Sequence, residues 1–182
     1  MKKAVFLDRD GVINENLKDI VEPSQFHLLH GVSEAIKKLN ESNYLVVIIT
    51  NQPVIAKGFC TFEDMDAIHQ KMKNELAKEG AKIDAIYVCP HHPEKGFKGE
   101  VPELKIDCDC RKPKPGLILQ AITDYSIDVE NSWIVGDSET DITAGKTTGL
   151  KTILISGKLE SAGNADYTFK DLKTAVEHII IV

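Results

Sequence analysis

The sequence lacks a long apolar segment and an excess of positive charge. No apolar run approaches the ~18 residues that a membrane-spanning helix requires, and the N-terminal stretch MKKAVFLDRDG has no apolar core of a signal peptide. A net charge of −6 argues against binding to nucleic acid or to an anionic membrane. We therefore expect a cytoplasmic protein, acting as a monomer, with neither nucleic acid nor membrane as a partner.

Internal repeats and low-complexity tracts are also missing, and cysteine is scarce. A chain of 182 residues fits one domain, so we expect a single domain over residues 1–182. Only four cysteines are present, and a cytoplasmic location argues against structural disulfides. Three of the cysteines lie close together within residues 89–112, which favours a metal-binding loop instead.

Apolar runs of β type alternate with helical patterns along the chain. This alternation predicts an α/β fold, a Rossmann-like three-layer sandwich with a mainly parallel sheet. Helices and one long loop account for the chain between the strands, which leaves no room for a large cap domain. The six predicted strands are KAVFLD, YLVVIITN, AIYVCP, SWIVGDS, KTILIS and ADYTF. The four predicted helices are GVSEAIKKLNES, TFEDMDAIHQKMKNELAKEG, PGLILQAITDYS and DLKTAVEHIIIV.

Polar residues follow three of these apolar runs. Asp8 ends the first run, Thr50 and Asn51 end the second, and Asp137 ends the fourth. In parallel α/β sheets the ligand binds outside the carboxyl ends of the strands, where the strand order reverses. We therefore expect these side chains to share one site.

The residue types at this edge suit phosphoryl transfer. A carboxylate such as Asp8 can attack phosphorus and form an aspartyl phosphate, and a second carboxyl such as Asp10 can serve as acid and base. Thr50, Asn51 and Lys112 supply the donors that phosphoryl oxygens require. The carboxylates form a hard oxygen site of the kind that Mg²⁺ prefers, so we expect Mg²⁺ as the catalytic cofactor.

Four segments, DRDGVIN, IITN, RKPKPG and VGDSETD, resemble in order the signature motifs of the haloacid dehalogenase superfamily of phosphotransferases. The resemblance implies that Asp8 is the nucleophile and Asp10 the general acid and base, and that Asp141 lies near the metal without binding it directly. It implies that Thr50 and Lys112 stabilise the phosphoryl group. The implied Mg²⁺ ligands are Asp8, the backbone carbonyl of Asp10, and Asp137.

The segment between Cys89 and Lys112 carries a second metal pattern. Cys89 and His91 form a C-x-H pair, and Cys108 and Cys110 form a C-x-C pair. Three thiolates and one imidazole suit a closed, tetrahedral, structural Zn²⁺ site, with His92 as the competing ligand. The metal would order a loop that has no hydrophobic core of its own and would hold the Arg-Lys pair that follows Cys110.

The motif CPHH…CDCRKPKPG resembles the subgroup that contains the heptose 1,7-bisphosphate phosphatases and the histidinol-phosphatase domain. The resemblance implies hydrolysis of a sugar bisphosphate, with the 7-phosphate of D-glycero-D-manno-heptose 1,7-bisphosphate as the favoured substrate. Histidinol phosphate, a broad range of small metabolites, and a catalytically silent metal-binding module are the alternatives. The implied substrate-binding residues are Asn16, Leu17, Lys18, Asp19, Asn51, Gln52, Pro53 and Arg111.

The chain departs from this subgroup near the second motif. Pro53 and Val54 stand where Ser-Gly is found in heptose enzymes, and Lys57 stands where Arg is usual. The loop between the two metal pairs is also longer than in short-loop members. These changes cluster where the distal end of the substrate would lie. For a second phosphate, Arg111, Lys57 and Lys18 are the candidate cations.

Overall fold

The structure is a computed structural model that describes residues 1–157 and 163–182. Its centre is a six-stranded sheet in the order β3-β2-β1-β4-β5-β6, and all five strand pairings are parallel. This confirms the predicted parallel α/β fold. The strands are β1 (Ala4–Leu7), β2 (Leu45–Asn51), β3 (Ala85–Cys89), β4 (Trp133–Gly136), β5 (Lys151–Ile155) and β6 (Tyr167–Phe169).

Helices cover both faces of the sheet. The apolar sides of α1, α2 and α5 pack against one face, and those of α3 and α4 pack against the other. None of the described helices is long and apolar enough to cross a membrane. The helices are α1 (Val32–Glu41), α2 (Phe62–Lys78), α3 (Gly116–Tyr125), α4 (Glu139–Thr148) and α5 (Leu172–Ile179).

Strand β1 shows why the apolar runs fold as central strands. Val5 and Leu7 belong to the core under α1, α2 and α5, whereas Ala4 and Phe6 belong to the core under α3 and α4. All four side chains are fully buried. Successive side chains of a strand point to opposite faces, so a strand covered on both faces must be apolar throughout. The chain leaves β1 towards β2 and returns on its other side as β4, which makes the β1–β4 boundary the switch point of the sheet.

Helix α4 was not predicted from the sequence. Its segment contains four threonines and a glycine, which are poor helix formers, and its apolar stripe is weak. The local signal lies at its start. Ser138 and Asp141 form a reciprocal capping box, and Gly149 ends the helix in a left-handed conformation. Packing against β4 and β5 then compensates for low propensity. Gly145, for example, lies so close to Ile134 that a Cβ atom would be 2.3 Å from its Cγ2.

Candidate active site

Three carboxylates meet at the carboxyl ends of β1 and β4. Asp8 follows β1 and donates its backbone N–H to the carbonyl of Val135 at 3.0 Å. Asp137 follows β4, and Asp141 lies in the first turn of α4. Each of the three aspartates offers a carboxylate oxygen, and these oxygens lie within 4.8 Å of one another. The set could hold a metal ion, and its hard oxygen donors suit Mg²⁺.

Gly11 allows the first motif to approach Asp137 closely. Its φ is +87°, and a Cβ atom at this position would lie 2.0 Å from Oδ2 of Asp137. Only glycine combines this left-handed backbone with so little space. The amide of Asn16 donates to the same Oδ2 at 2.9 Å, so the loop after β1 contacts Asp137 at two points.

Lys112 crosses from the end of the cysteine-containing loop into the carboxylate cluster. Its Nζ lies 2.7 Å from Oδ1 of Asp8 and 2.5 Å from Oδ1 of Asp141, and it donates to the carbonyl of Ile49 at 2.8 Å. The side chain is 3% exposed. Burial alone would lower the pKa of Lys112, but the charges of Asp8 and Asp141 outweigh it and the pKa is raised. The lysine is therefore a fixed positive charge beside the predicted nucleophile.

Burial shifts the pKa values of two of these carboxylates, Asp8 and Asp137. Burial raises the pKa of Asp8 to about 7, opposed by Lys112 and reinforced by the charge of Asp141. Burial also raises the pKa of Asp137, against the hydrogen bond from Asn16. Burial and mutual repulsion disfavour the ionised form of these carboxylates, and a bound cation would stabilise it. Such a cluster is typical of a functional site.

Asp10 lies beside this cluster and faces a dense set of donors. Its carboxylate accepts hydrogen bonds from the Nδ2 of Asn14 at 2.9 Å and the Nε2 of Gln52 at 2.8 Å. The same Nε2 donates to Oγ1 of Thr50 at 2.8 Å. Gln52 thus links Asp10, the predicted acid and base, to Thr50, the predicted hydrogen-bond donor to the phosphoryl group. The buried Arg9 completes the set around Asp10.

Asn51 contacts the backbone of Lys112 at two points. Its Nδ2 donates to the carbonyl of Lys112, and its Oδ1 accepts from the N–H of Lys112, both at 3.1 Å. This clamp ties the end of β2 to the loop that carries the lysine. Asn51 was predicted to bind substrate, and its observed contacts are with the backbone of Lys112.

The four predicted metal ligands of the loop are brought together. Sγ of Cys110 lies 3.1 Å from Sγ of Cys89, 3.2 Å from Sγ of Cys108 and 3.2 Å from Nδ1 of His91. All four ligand atoms lie within 4.8 Å of one another. The sulfur atoms are 3.1 to 3.5 Å apart, somewhat less than the ~3.8 Å spacing that Zn–S bonds give in a tetrahedral site. Burial raises the pKa of the Cys89 and Cys110 thiols, and a bound cation would act in the opposite direction.

His92 and Cys60 remain outside this cluster. The ring of His92 packs edge-on against Phe97, and its Nε2 lies 3.9 Å from Glu94. Cys60 is buried, and burial raises the pKa of its thiol to about 11, so it is a poor nucleophile. The cluster of candidate metal ligands therefore contains His91 and not His92.

The long loop is docked on the segment after β2 as well as on the metal cluster. Val101 donates its backbone N–H to the carbonyl of Ala56 at 3.0 Å. Gly58 approaches Gly99 so closely that a Cβ atom would lie 1.8 Å from the Gly99 carbonyl oxygen. The ring of Phe97 packs edge-on against Phe59. The loop therefore forms a wall, residues 97–101, against the segment that follows the predicted substrate residues Gln52 and Pro53.

Two of the three candidate cations for a second anion lie at this wall. Nζ of Lys57 lies 5.3 Å from the centroid of the Phe97 ring. Burial, followed by the charges of Arg111 and Lys57, lowers the pKa of His92. Arg111 donates to the carbonyl of His91 at 3.3 Å, and Lys57 lies 4.0 Å from a carboxylate oxygen of Asp19. Of the other predicted residues, Pro53 is half-buried beside this wall, and Leu17 and Lys18 are exposed on the loop after β1.

Comparison with known proteins identifies the family. A family model described as HAD-hydrolase-like matches residues 109–175. A D-glycero-beta-D-manno-heptose-1,7-bisphosphate 7-phosphatase from Pasteurella multocida is 44% identical over 156 residues, which cover 85% of this chain and 82% of the relative. The chain belongs to this family of HAD phosphatases. As a family member, it is a phosphomonoester hydrolase.

Other members of the heptose bisphosphate phosphatase family extend the match. A D-glycero-alpha-D-manno-heptose-1,7-bisphosphate 7-phosphatase from Burkholderia mallei is 40% identical and covers 84% of this chain and 79% of the relative. The crystal structure of the D,D-heptose 1,7-bisphosphate phosphatase from B. bronchiseptica, complexed with magnesium and phosphate, superimposes with a TM-score of 0.85 at 32% identity and covers 98% of both chains. The family therefore includes enzymes named for either anomer.

Arg9 and His69 were not predicted from the sequence. Arg9 is fully buried, and Nη1 of its guanidinium lies 3.3 Å from Nε2 of His69 on α2. Arg9 stands between Asp8 and Asp10, and a charged residue in such a sequence is typical of a solvent-exposed loop, so the local sequence gives no sign of its burial. The signal that could have found this pair is the helical spacing of Met65 and His69 on the buried face of α2.

Proposed function

We propose that this enzyme hydrolyses the 7-phosphate of a D-glycero-D-manno-heptose 1,7-bisphosphate. The observation that carries the proposal is the convergence of Asp8, Lys112 and Asp137 at the switch point of the sheet, with Asp10 beside them. Two further cations lie nearby, Arg111 at the end of the loop and Lys57 on the segment after β2. The names of the relatives support the choice of sugar. Action as a cytoplasmic monomer stays a prediction from the sequence.

The first proposed step is transfer of the phosphoryl group to Asp8. A carboxylate oxygen of Asp8 attacks phosphorus, and the bond between phosphorus and the sugar oxygen breaks. Asp10 gives its proton to the departing alkoxide. Thr50 and Lys112 donate to the phosphoryl oxygens, and the salt bridge from Lys112 favours the ionised form of Asp8, which makes the attack.

The second proposed step is hydrolysis of the aspartyl phosphate. A water molecule attacks phosphorus on the side opposite Asp8, and the bond between phosphorus and the aspartyl oxygen breaks. Asp10, now a carboxylate, takes the proton of the attacking water. Asp8 returns to its starting state, and inorganic phosphate leaves.

For the metals we propose Mg²⁺ at the carboxylate cluster and Zn²⁺ at the cysteine cluster. Asp8 and Asp137 fit Mg²⁺ as hard oxygen ligands, and a carboxylate oxygen of Asp141 lies within 4.8 Å of theirs. When bound, Mg²⁺ would offset the repulsion between the carboxylates and the substrate phosphate. The Cys₃His donor set fits zinc in a closed structural site. This site would hold the backbone of Cys110, two residues before Lys112.

The cysteine cluster should bind about one zinc per chain. Cys108→Ser removes one of four ligands, so we expect the zinc content to fall well below one and phosphate binding to weaken together with it. Cys60→Ser is the matched control, because it removes the cysteine that lies outside the cluster. Elemental analysis of both purified variants, with phosphate titrations, measures the two effects. Full zinc content in the Cys108→Ser variant would exclude the proposed ligand set.

A substrate screen tests the proposed sugar. We expect heptose 1,7-bisphosphate to exceed fructose 1,6-bisphosphate and histidinol phosphate in kcat/KM, and the 1-phosphate to survive the reaction. Both anomers should be compared, because relatives are named for each. A clear preference for histidinol phosphate, or equal rates on all three substrates, would contradict the proposal.

Arg111→Ala should erode the preference for a bisphosphate. A charge-assisted contact of about 1.5–3 kcal/mol with the remote phosphate corresponds to a loss of about one to two decades in kcat/KM. A small aryl phosphate has no remote phosphate, so its kcat/KM should change much less. Lys114→Ala is the control, because Lys114 is a nearby exposed lysine paired with Asp107. Equal losses on the two substrates would place Arg111 at the transferred phosphoryl group instead.

A further inference from the structure

Arg9 carries a fully buried charge next to the reaction centre. Its Nε lies 3.1 Å and its Nη2 2.9 Å from Oδ1 of Asp10, and Nη2 lies 3.0 Å from Oδ2. The third nitrogen, Nη1, points the other way, to Sδ of Met65 at 3.1 Å and Nε2 of His69 at 3.3 Å. The guanidinium therefore connects the carboxylate of Asp10 with the buried face of α2.

His69 is placed to act as an acceptor for Arg9. It is 6% exposed and lies one helical turn after Met65, so α2 presents a sulfur and an imidazole nitrogen to the same N–H group. Burial, followed by the charge of Arg9, lowers the pKa of His69 to about 3, so the ring is neutral at physiological pH. A neutral imidazole with its proton on Nδ1 accepts at Nε2. The contact is thus a hydrogen bond rather than a repulsion between two cations.

The remaining donors to Asp10 come from other directions. Asn14 lies within the first loop, and Gln52 comes from the end of β2. A fork from Arg9 fixes both oxygens of the carboxylate, whereas a single donor would fix only one. Without the fork, the orientation of the carboxyl group would rest on two neutral donors, Asn14 to Oδ1 and Gln52 to Oδ2, which hold it less firmly than a charge-assisted pair.

We propose that Arg9 and His69 are positioning residues for Asp10: His69 orients the guanidinium, and the guanidinium orients the carboxyl group that exchanges protons with the leaving oxygen and the attacking water. This inference rests on the proposed roles of Asp8 and Asp10. It adds a buried layer, from α2 through Arg9 to the reaction centre, that sets the geometry of proton transfer.

Arg9→Lys tests the fork while keeping the charge. We expect kcat/KM for an alkyl phosphate to fall about 100-fold, because its leaving group needs a well-placed acid. For an aryl phosphate with a good leaving group, kcat/KM should stay within about threefold, because that step needs little proton donation. Hydrolysis of the aspartyl phosphate still needs the base, so rapid mixing with the aryl phosphate should show a burst of the released phenol.

His69 supplies the matched pair of variants. His69→Leu removes the acceptor and should show the same selective loss, about tenfold for the alkyl phosphate. His69→Gln keeps a hydrogen-bond acceptor near the position of Nε2, so its kcat/KM for the alkyl phosphate should be close to that of the wild type. Met72→Leu, at a buried position further along the same helix, controls for destabilisation of α2.

The outcomes separate this inference from the proposed function. A loss of kcat/KM confined to the alkyl phosphate, together with a burst of phenol from the aryl phosphate, supports the positioning role of Arg9 and His69. Equal losses on the two substrates without a burst, or equal losses in His69→Leu and His69→Gln, would overturn it even if Asp8 proves essential. If Arg9→Lys does not fold, the His69 pair decides alone. Full activity of an Asp8→Asn variant would refute the proposed chemistry itself.

Discussion

Asp8→Asn is expected to lower turnover by at least about 10⁴-fold, because an amide cannot attack phosphorus as a carboxylate does. The variant keeps the shape of the side chain and leaves the Lys112–Asp141 ion pair in place. Steady-state rates on an aryl phosphate and on a sugar bisphosphate measure the loss. Both substrates should be affected equally, since the nucleophile serves every substrate. Retention of more than a few per cent of wild-type activity would contradict covalent catalysis by Asp8.

The stability of the same variant provides its control. Burial raises the folded-state pKa of Asp8 to about 7, from an ordinary value of 3.8. A raised pKa favours the folded state at low pH, and that advantage is lost as the pH rises through about 7. Without added Mg²⁺, the asparagine variant should therefore be at least as stable as the wild type at pH 8, with the difference shrinking towards pH 4. Thermal unfolding across this range measures it.

Lys112→Met is expected to lower activity about 10³-fold and to destabilise the protein. The activity loss follows from removal of a fixed charge at the phosphoryl group. The stability loss follows because Asp8 and Asp141 lose their cation, and unpaired buried charges cost about 3–5 kcal/mol. Lys112 holds the pKa of Asp8 down, so its loss raises that pKa further. The stability deficit should therefore shrink as the pH falls and Asp8 becomes protonated.

Lys105→Met is the matched control for this substitution. Lys105 is also buried, but its Nζ lies 3.6 Å from Glu100 and over the ring of Phe97, away from the carboxylate cluster. We expect this variant to lose stability while keeping most of its activity on an aryl phosphate. Denaturant unfolding and rates measured on both variants separate the two effects. A Lys112→Met variant with near wild-type activity would remove the lysine from the proposed site.

The sequence was sufficient for the sheet, because central parallel strands leave strong apolar signals. All six predicted strands are present, and the polar residues at the ends of β1, β2 and β4 meet where they were expected. Helix α4 was missed because its residues have low helix propensity and little amphipathicity. Tertiary packing decides the conformation of α4. The only local sign of this helix in the sequence is the capping box of Ser138 and Asp141, with Gly149 at its end.

The clustering of the candidate site residues was predicted from the sequence, but their contacts were not. The carboxylates and the Cys₃His set could be read from residue type and spacing. The fork from Arg9 to Asp10 could not, because it depends on how α2 is rotated against β1. The docking of Gly99 on Gly58 is a close approach of two loops, which leaves no periodic signal in the sequence. Long-range geometry of this kind is set by packing rather than by local pattern.

Trapping the phosphorylated enzyme tests the central claim most directly. In an Asp10→Asn variant the base for water attack is missing, so the aspartyl phosphate should accumulate with an aryl phosphate as substrate. Acid quenching followed by peptide mass spectrometry should find one added phosphoryl group, on the peptide that contains Asp8. Borohydride reduction should place it on that side chain. A label on any other residue, or continued turnover with no labelled protein, would contradict the account.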